Sequence, residues 1–513
     1  MDSNMGDMVL IRLDAKKGKI TNKLGRSLND LLIRKCGYWT LINPIVMNDK
    51  GKPVWENING KYKMKRQLEK KLITHYQWVD QVYPAGLHNR VVAALKGRGL
   101  KIKLLDKRPL LEVNDDKVIT TVDSFPLALR PYQTDAIARG LYQPLMTFHI
   151  ATGGGKTVIF SAMAKASELR TLILVNRTDL LRQHYRQLQE LCGEDQVGII
   201  QGTRLQLNKQ ICVGMVQTIA AKSKAKTHKI HDYLDSIQYL IADECHHGQA
   251  TTWKEIFSSC KNTIYKHGFS GSPWDFTSQN IELETVCGPI LFKCTASDLI
   301  RSGYLARPIV TFHEYPGNDR KIQTTSQLPN IYKQTITNNQ SRNKAIIRTV
   351  LDEYKKGHKL LLVVNWIAHG NYLARCLEEE HGISDIAYLH GQKDKGVREA
   401  RRTDFERGKV KVMVVSQIWN EGIDIPSCDV LIKADALGGG DIYESEGVRN
   451  LIQQIGRVLR KPKPNNADDV DTSREHSVRV HDFVDRQNKY VSGWTDNRIK
   501  TCQMEKEFIV KFK

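Results

Sequence analysis

The chain has 513 residues, 41% of them hydrophobic, and a formal net charge of +21. That length holds about two to four domains, and no apolar run approaches the roughly 18 residues of a membrane span, nor do residues 1–13 hold a signal peptide's apolar core. A soluble, intracellular, cytoplasmic protein with no membrane partner is therefore expected, and its charge favours a polyanion such as nucleic acid over a basic surface without a specific partner. The ten cysteines show no C-x-x-C pair and no Cys/His spacing suited to a metal, which argues against zinc and against a disulfide framework.

Residues 1–118 read as a small basic α+β unit that carries about half of the net charge in about a quarter of the chain. Strands are predicted at 8–13 and 38–46, and helices at the Lys-rich stretch 64–78 and at 87–99. Basic residues interleave with Tyr38, Trp39, Trp55, Tyr62, Tyr76, Trp78 and Tyr83. That mixture suits phosphate contacts and base stacking, although in so small a unit most aromatics belong to the core. Glu69-Lys70-Lys71 with Asp49 upstream also spells part of a nuclease site; on a helix, Glu69 among basic neighbours reads more simply as a solvated charge pair.

From about residue 122 apolar runs alternate with amphipathic stretches, the pattern of a parallel sheet flanked by helices. The run 145–150 leads into Ala151-Thr152-Gly153-Gly154-Gly155-Lys156-Thr157 and then a predicted helix at 157–168. Glycines there let backbone N–H groups approach a polyphosphate, Lys156 can reach the terminal phosphates of ATP, and Thr157 offers a hydroxyl to Mg²⁺. The strict phosphate-loop pattern has a glycine where Ile150 stands. Further strands are predicted at 171–176, 211–217 and 239–244, with a helix at 179–192. The run 239–242 ends in Asp243-Glu244, two carboxylates at the C-terminal end of a buried strand, costly there unless they meet a cation. Asp243 is expected to hold Mg²⁺ and Glu244 to polarise the attacking water. Residues 222–231 are a basic run read as a solvated loop.

A second α/β repeat begins near residue 308, with strands predicted at 360–365, 386–390, 410–416 and 430–434 and a helix at 448–460. Fewer than about 30 residues follow Val484, too few for another domain.

The Thr-Gly-x-Gly-Lys-Thr form of the loop and the box Asp243-Glu244-Cys245-His246 together resemble the superfamily two helicases. Further motifs follow in family order over roughly residues 129–484. Leu129-Arg130-Pro131-Tyr132-Gln133 resembles the adenine-sensing motif, which implies that Arg130 and Gln133 bind ATP, with Gln133 the base reader, alongside Thr152, Gly153, Gly154, Gly155, Lys156 and Thr157. Asn176-Arg177 and Val216-Gln217-Thr218 are similar to motifs that touch a nucleic-acid backbone. Ser270-Gly271-Ser272 resembles the Ser/Thr-Ala-Thr motif that, with His246, couples hydrolysis to strand movement; Gly271 stands where alanine is more usual. Ser416, then Glu421-Gly422-Ile423-Asp424, resembles the motif in which the serine meets nucleic acid and Gly422 and Asp424 the nucleotide. Gln453-x-x-Gly456-Arg457-x-x-Arg460 is similar to the last motif, which adds Gln453, Arg457 and Arg460 to Lys156, Asp243 and Glu244 as catalytic residues. Phosphoryl transfer spreads charge over the γ-oxygens, and arginines from a second lobe stabilise it.

The resemblance implies two tandem RecA-like domains at 119–306 and 307–490, after the N-terminal unit and before a tail at 491–513. Its motif forms most resemble the UvsW-type phage branch-migration helicases, with kinship to XPB and to restriction-enzyme motor subunits. That implies an ATP- and Mg²⁺-dependent helicase or translocase acting on branched or duplex DNA in replication, recombination or repair, phage-encoded and working in the host cytoplasm. A restriction motor subunit and a D-E-x-H RNA helicase are the alternatives, and a non-enzymatic binding protein would require a broken phosphate loop or acidic box.

Overall fold

The computed structural model describes residues 8–14, 17–42, 55–58, 61–64, 69–108, 115–225, 228–245, 251–271, 280–317, 327–416, 428–436, 451, 454–456, 458–459 and 477–513. Exposed and buried residues alternate along β1 (Met8–Leu13) and β2 (Lys17–Ile20), the period of a sheet covered on one face. With β3 (Val82–Pro84) and β4 (Lys101–Asp106) they form a sheet in the order β3-β2-β1-β4. Val9, Ile11 and Ile20 lie in one core with Leu32 of α1 (Arg26–Lys35) and with Val91 and Leu95 of α2 (His88–Lys96). Arg12, Lys17, Lys19, Lys101 and Lys103 are exposed at the alternate positions.

The helix predicted at 64–78 is not there. Glu69–Thr74 is a strand paired antiparallel with Gly37–Ile42, and Lys61–Met64 pairs with Trp55–Ile58. Pairing with a remote segment supplies hydrogen bonds that override a weak local preference. Glu69 and Lys71 therefore stand on a strand, and Asp49 lies outside the described residues.

The first lobe comprises α3 (Asp115–Asp123), α4 (Pro131–Tyr142), β5 (Leu145–Ile150), α5 (Lys156–Ser167), β6 (Thr171–Val175), α6 (Thr178–Cys192), β7 (Val197–Gln201), β8 (Arg204–Leu205), β9 (Ile211–Met215), β10 (Tyr239–Asp243), β11 (Tyr265–Ser270), α7 (Asn280–Cys287) and β12 (Ile290–Cys294). The sheet order is β8-β7-β9-β6-β10-β11-β5-β12, parallel except for β8. β6, β9 and β10 are buried along their whole length, as expected of strands covered on both faces. The basic run 222–231 is divided between helices Val216–Lys224 and His228–Asp235 rather than forming a loop.

The second lobe holds β13 (Arg307–His313), α8 (Gln340–Tyr354), β14 (Leu360–Val363), β15 (Ile386–Leu389), β16 (Val412–Val415), β17 (Val430–Lys433), β18 (Ser477–Phe483), α9 (Lys489–Met504) and β19 (Ile509–Phe512). All are parallel in the order β15-β16-β14-β17-β18-β13-β19. The segment 491–513, expected as a tail, is thus most of a helix plus the edge strand of this sheet. Arg498 bolts that helix down: wholly buried, it donates to Asp482 Oδ2 at 2.9 Å and to the carbonyls of Ala436 and Phe483 at 2.7 and 2.9 Å. A paired, fully hydrogen-bonded charge is what permits an arginine there.

The three units are joined by polar clasps. Arg90 of α2 donates through Nε and Nη2 to Glu284 of α7, and His75 Nε2 lies 3.0 Å from Glu282 Oε1. A Cβ on Gly86 would stand 2.0 Å from the Glu284 carbonyl oxygen, so only glycine fits this approach. Between the lobes, Ser297 Oγ donates to Glu505 Oε2 at 2.6 Å and Ala306 N–H to the Leu459 carbonyl at 2.9 Å. Among the described residues no helix is long and apolar enough to cross a membrane.

Candidate nucleotide and nucleic-acid site

The loop after β5 bends back at once, with Gly154 N–H donating to the Ala151 carbonyl at 2.9 Å. Gly155 takes φ +72, and a Cβ there would fall 2.5 Å from Gln133 Nε2. The left-handed φ favours glycine there, and any side chain would also displace the Gln133 amide. α5 then begins at Lys156, so the helix N-terminus and its free N–H groups face the loop.

β10 lies two strands from β5, with β11 between them, so Asp243, Glu244 and Ser270 emerge at the same sheet edge as Lys156. Lys156 Nζ donates to Glu244 Oε1 at 2.6 Å and stands 3.8 Å from Asp243 Oδ1. Burial works against the lysine charge, but the two carboxylates outweigh it and hold its pKa above the ordinary value. Burial likewise pushes Asp243 up, while Lys156 and a hydrogen bond from His184 pull it well below the usual carboxylate range. Ser270 Oγ donates to Glu244 Oε2 at 3.4 Å. Glu244 itself has φ +48, a left-handed conformation that costs energy for a glutamate and is found where function over-determines the backbone. Burial lowers the His149 pKa to about 4, so the neutral ring donates from Nε2 to the Gly271 carbonyl at 3.1 Å. A Cβ on Gly271 would press on Thr152 Oγ1 at 3.3 Å, so the missing methyl group leaves room beside the loop.

Arg130 and Gln133 flank the loop from the start of α4. Gln133 Oε1 accepts from Arg130 N–H at 2.9 Å and its Nε2 reaches the Gly154 carbonyl at 3.4 Å. Tyr132 OH donates to the same carbonyl at 2.7 Å, and the Arg130 guanidinium lies 4.4 Å from the Tyr304 ring centroid. Arg177 stands at the N-cap position of α6 after β6, Gln217 Nε2 donates to the Asn176 carbonyl at 3.1 Å, and Thr218 Oγ1 accepts from Gly202 N–H at 3.1 Å. Arg177, Gln217 and Thr218 thus follow the C-terminal ends of β6 and β9, and Ser416 follows that of β16 in the other lobe. His246, Ser272, Gly422, Asp424, Gln453, Arg457 and Arg460 lie outside the described residues. Their neighbour Gly456 does not: a Cβ on it would sit 3.0 Å from Thr152 Cβ, which brings the second lobe onto the phosphate loop.

Sequence reasoning missed Tyr304 and His184 and gave Tyr132 no role of its own within its motif. Tyr132 and Tyr304 frame Arg130. His184, in α6, bridges Asp243 and Thr157. Its only trace in the sequence is a histidine in register with Leu181, Leu188 and Leu191 on the buried stripe of an amphipathic helix.

Residues 126–274 match the family model described as "Type III restriction enzyme, res subunit", and residues 341–462 match "Helicase conserved C-terminal domain". The chain belongs to the superfamily two helicases. It is 25% identical over 403 residues to a putative DNA 3'-5' helicase Rad25 of Haloarcula marismortui, covering 75% of this chain and 60% of the relative. It is 24% identical over 351 residues to the ATP-dependent DNA helicase uvsW of Enterobacteria phage T4, covering 64% and 65%. The chain therefore spans 60 to 65% of the length of these curated relatives. Among solved structures, the fragment of a putative type I restriction HsdR subunit from Vibrio vulnificus superposes with a TM-score of 0.53 at 17% identity, over 84% of this chain and 73% of that one. The helicase MrfA bound to DNA and AMPPNP gives 0.54 at 13% identity, over 77% and 54%. At these identities the structures speak to the fold of this superfamily two helicase.

Proposed function

We propose that this helicase hydrolyses ATP with Mg²⁺ to translocate on and remodel branched or duplex DNA. The observation that carries this reading is the cluster of Lys156, Asp243 and Glu244 standing beside Thr152 where Gly456 of the second lobe docks. A phosphate site at a lobe contact makes closure of the lobes a condition of turnover. Asp243 suits Mg²⁺: its Oδ1 is buried without a hydrogen-bond partner, a cost that a cation removes. Thr157 and Asp243 would hold the ion, directly or through water, and it would neutralise charge on the phosphates. Lys156 would leave Glu244 for the γ-phosphate, freeing Glu244 to take a proton from water. Arg130 and Tyr304 would face the base, and Arg177, Gln217, Thr218 and Ser416 the nucleic-acid backbone.

DNA is favoured by the names of the relatives and by the N-terminal sheet. There, exposed Arg12, Lys17, Lys19, Lys101 and Lys103 occupy alternate strand positions, which places them on one face, and none is ion-paired with a described residue. A single-sign face of this kind suits phosphates. The match to a restriction-subunit model supports a second reading, a motor that needs partner subunits.

The test is ATP hydrolysis at one fixed salt concentration with no nucleic acid, single-stranded DNA, duplex DNA, a four-way junction and structured RNA. Stimulation chiefly by junction or duplex is expected. Stimulation chiefly by RNA overturns the DNA reading, and none by any of them favours the restriction motor.

A further inference from the structure

α6 starts beside Arg177 and passes behind the phosphate loop. Two turns along it His184, only 4% exposed, is fixed edge-on against Phe160, with ring centroids 5.3 Å apart and an interplanar angle of 88°. Its two ring nitrogens reach two different motifs: Nε2 lies 2.7 Å from Asp243 Oδ2, and Nδ1 lies 3.3 Å from Thr157 Oγ1. One neutral tautomer satisfies both, with Nε2–H donating to the carboxylate and Nδ1 accepting from the hydroxyl. The consequences for the two partners are specific. With Oδ2 occupied, the oxygen that Asp243 leaves without a hydrogen bond is Oδ1, the one facing Lys156. In that tautomer the Thr157 proton turns to the ring and its oxygen keeps its lone pairs for the mouth of the loop.

We propose that His184 is the positioning residue that aims Asp243 and Thr157 at the Mg²⁺ of the bound nucleotide, and that it ties this pair to the helix beginning at Arg177. It touches neither phosphate nor metal. It acts as outer groups act on metal ligands elsewhere, by fixing their orientation and leaving one oxygen free. His184 lies about two turns into α6, whose N-cap is Arg177, so a shift of the first turn on nucleic acid would be carried along the helix to the same two ligands. The inference rests on the reading that Thr157 and Asp243 hold the metal.

Affinity for a fluorescent ATP analogue, measured in EDTA and across a Mg²⁺ titration with no nucleic acid, tests it without depending on turnover. For the wild type, Mg²⁺ must tighten the nucleotide; if it does not, the metal reading itself fails, whatever the variants do. Given that tightening, His184→Ala is expected to raise the Mg²⁺ midpoint about 10- to 100-fold with the affinity in EDTA unchanged, which also shows that the loop is folded. His184→Gln places an amide N–H close to the position of Nε2 and should restore most of the response. His184→Asn is too short to reach Asp243 and should not, so the contrast of Gln with Asn decides the matter even where the alanine variant does not fold. Equal Mg²⁺ midpoints for Gln, Asn and wild type overturn the proposal.

Discussion

Lys156 is held at 2.6 Å by Glu244 and at 3.8 Å by Asp243, so entry of a triphosphate exchanges one set of anionic partners for another around a cation already desolvated. Replacing it with alanine removes the cation that pairs with Glu244 and, on the proposed reading, that would reach the γ-phosphate. Lys156→Ala should lower ATP turnover about 100-fold or more while duplex affinity at fixed salt stays close to that of the wild type, because the cations of the N-terminal sheet lie on other elements. A coupled ATPase assay with fluorescence anisotropy checks both, and equal loss of both would show that the lysine serves the nucleic acid instead. At this scale the sequence was readable where chemistry demands a fixed spacing: loop, lysine and acidic pair announce themselves together. His184 and Tyr304 could not be read, because a single ring contacting a distant motif leaves no periodic mark.

Elements were legible in proportion to how far their pattern is imposed by burial. β6, β9 and β10 are wholly buried five-residue runs, and β5 and α6 fall within a residue of their predicted bounds. The strand Glu69–Thr74 and the edge strand β19 owe their existence to partners far away in sequence, Gly37–Ile42 and β13, so neither helix-like composition nor position near the chain end indicated them. The sheet of β1 to β4 shows the same dependence. Its cations become one surface only through register, which sets Arg12 beside Lys19 on one side and Lys103 beside Leu10 on the other. The triple replacement Arg12→Gln, Lys19→Gln, Lys103→Gln should weaken duplex binding and reduce the slope of log affinity against log salt by about 1 for each phosphate that is no longer neutralised. Basal ATP hydrolysis should not change. Anisotropy titrations over a salt series measure the slope; an unaltered slope would assign this face to another partner.

At the scale of the whole molecule, the nucleotide cluster sits on one lobe and its closure depends on the other. Gly456 approaches Thr152 so closely that a single added carbon would stand 3.0 Å from Thr152 Cβ, tight for any side chain and overfilled by a branched one. Ile455, Val458 and Leu459 around it are buried, so Gly456 cannot simply swing outward to make room. Gly456→Val should therefore hold the lobes apart at the phosphate loop while Lys156, Asp243 and Glu244 keep their mutual geometry. Nucleotide affinity in the absence of DNA should change little, since those groups all belong to the first lobe. Turnover should fall about 100-fold, as expected when reacting groups are misplaced by about an ångström, and DNA should lose most of its power to stimulate it. Steady-state ATPase with and without duplex, alongside binding of a fluorescent ATP analogue, separates the two effects. Full DNA-stimulated turnover in the valine variant would mean that the lobes hydrolyse ATP without this contact and close on another part of the cleft.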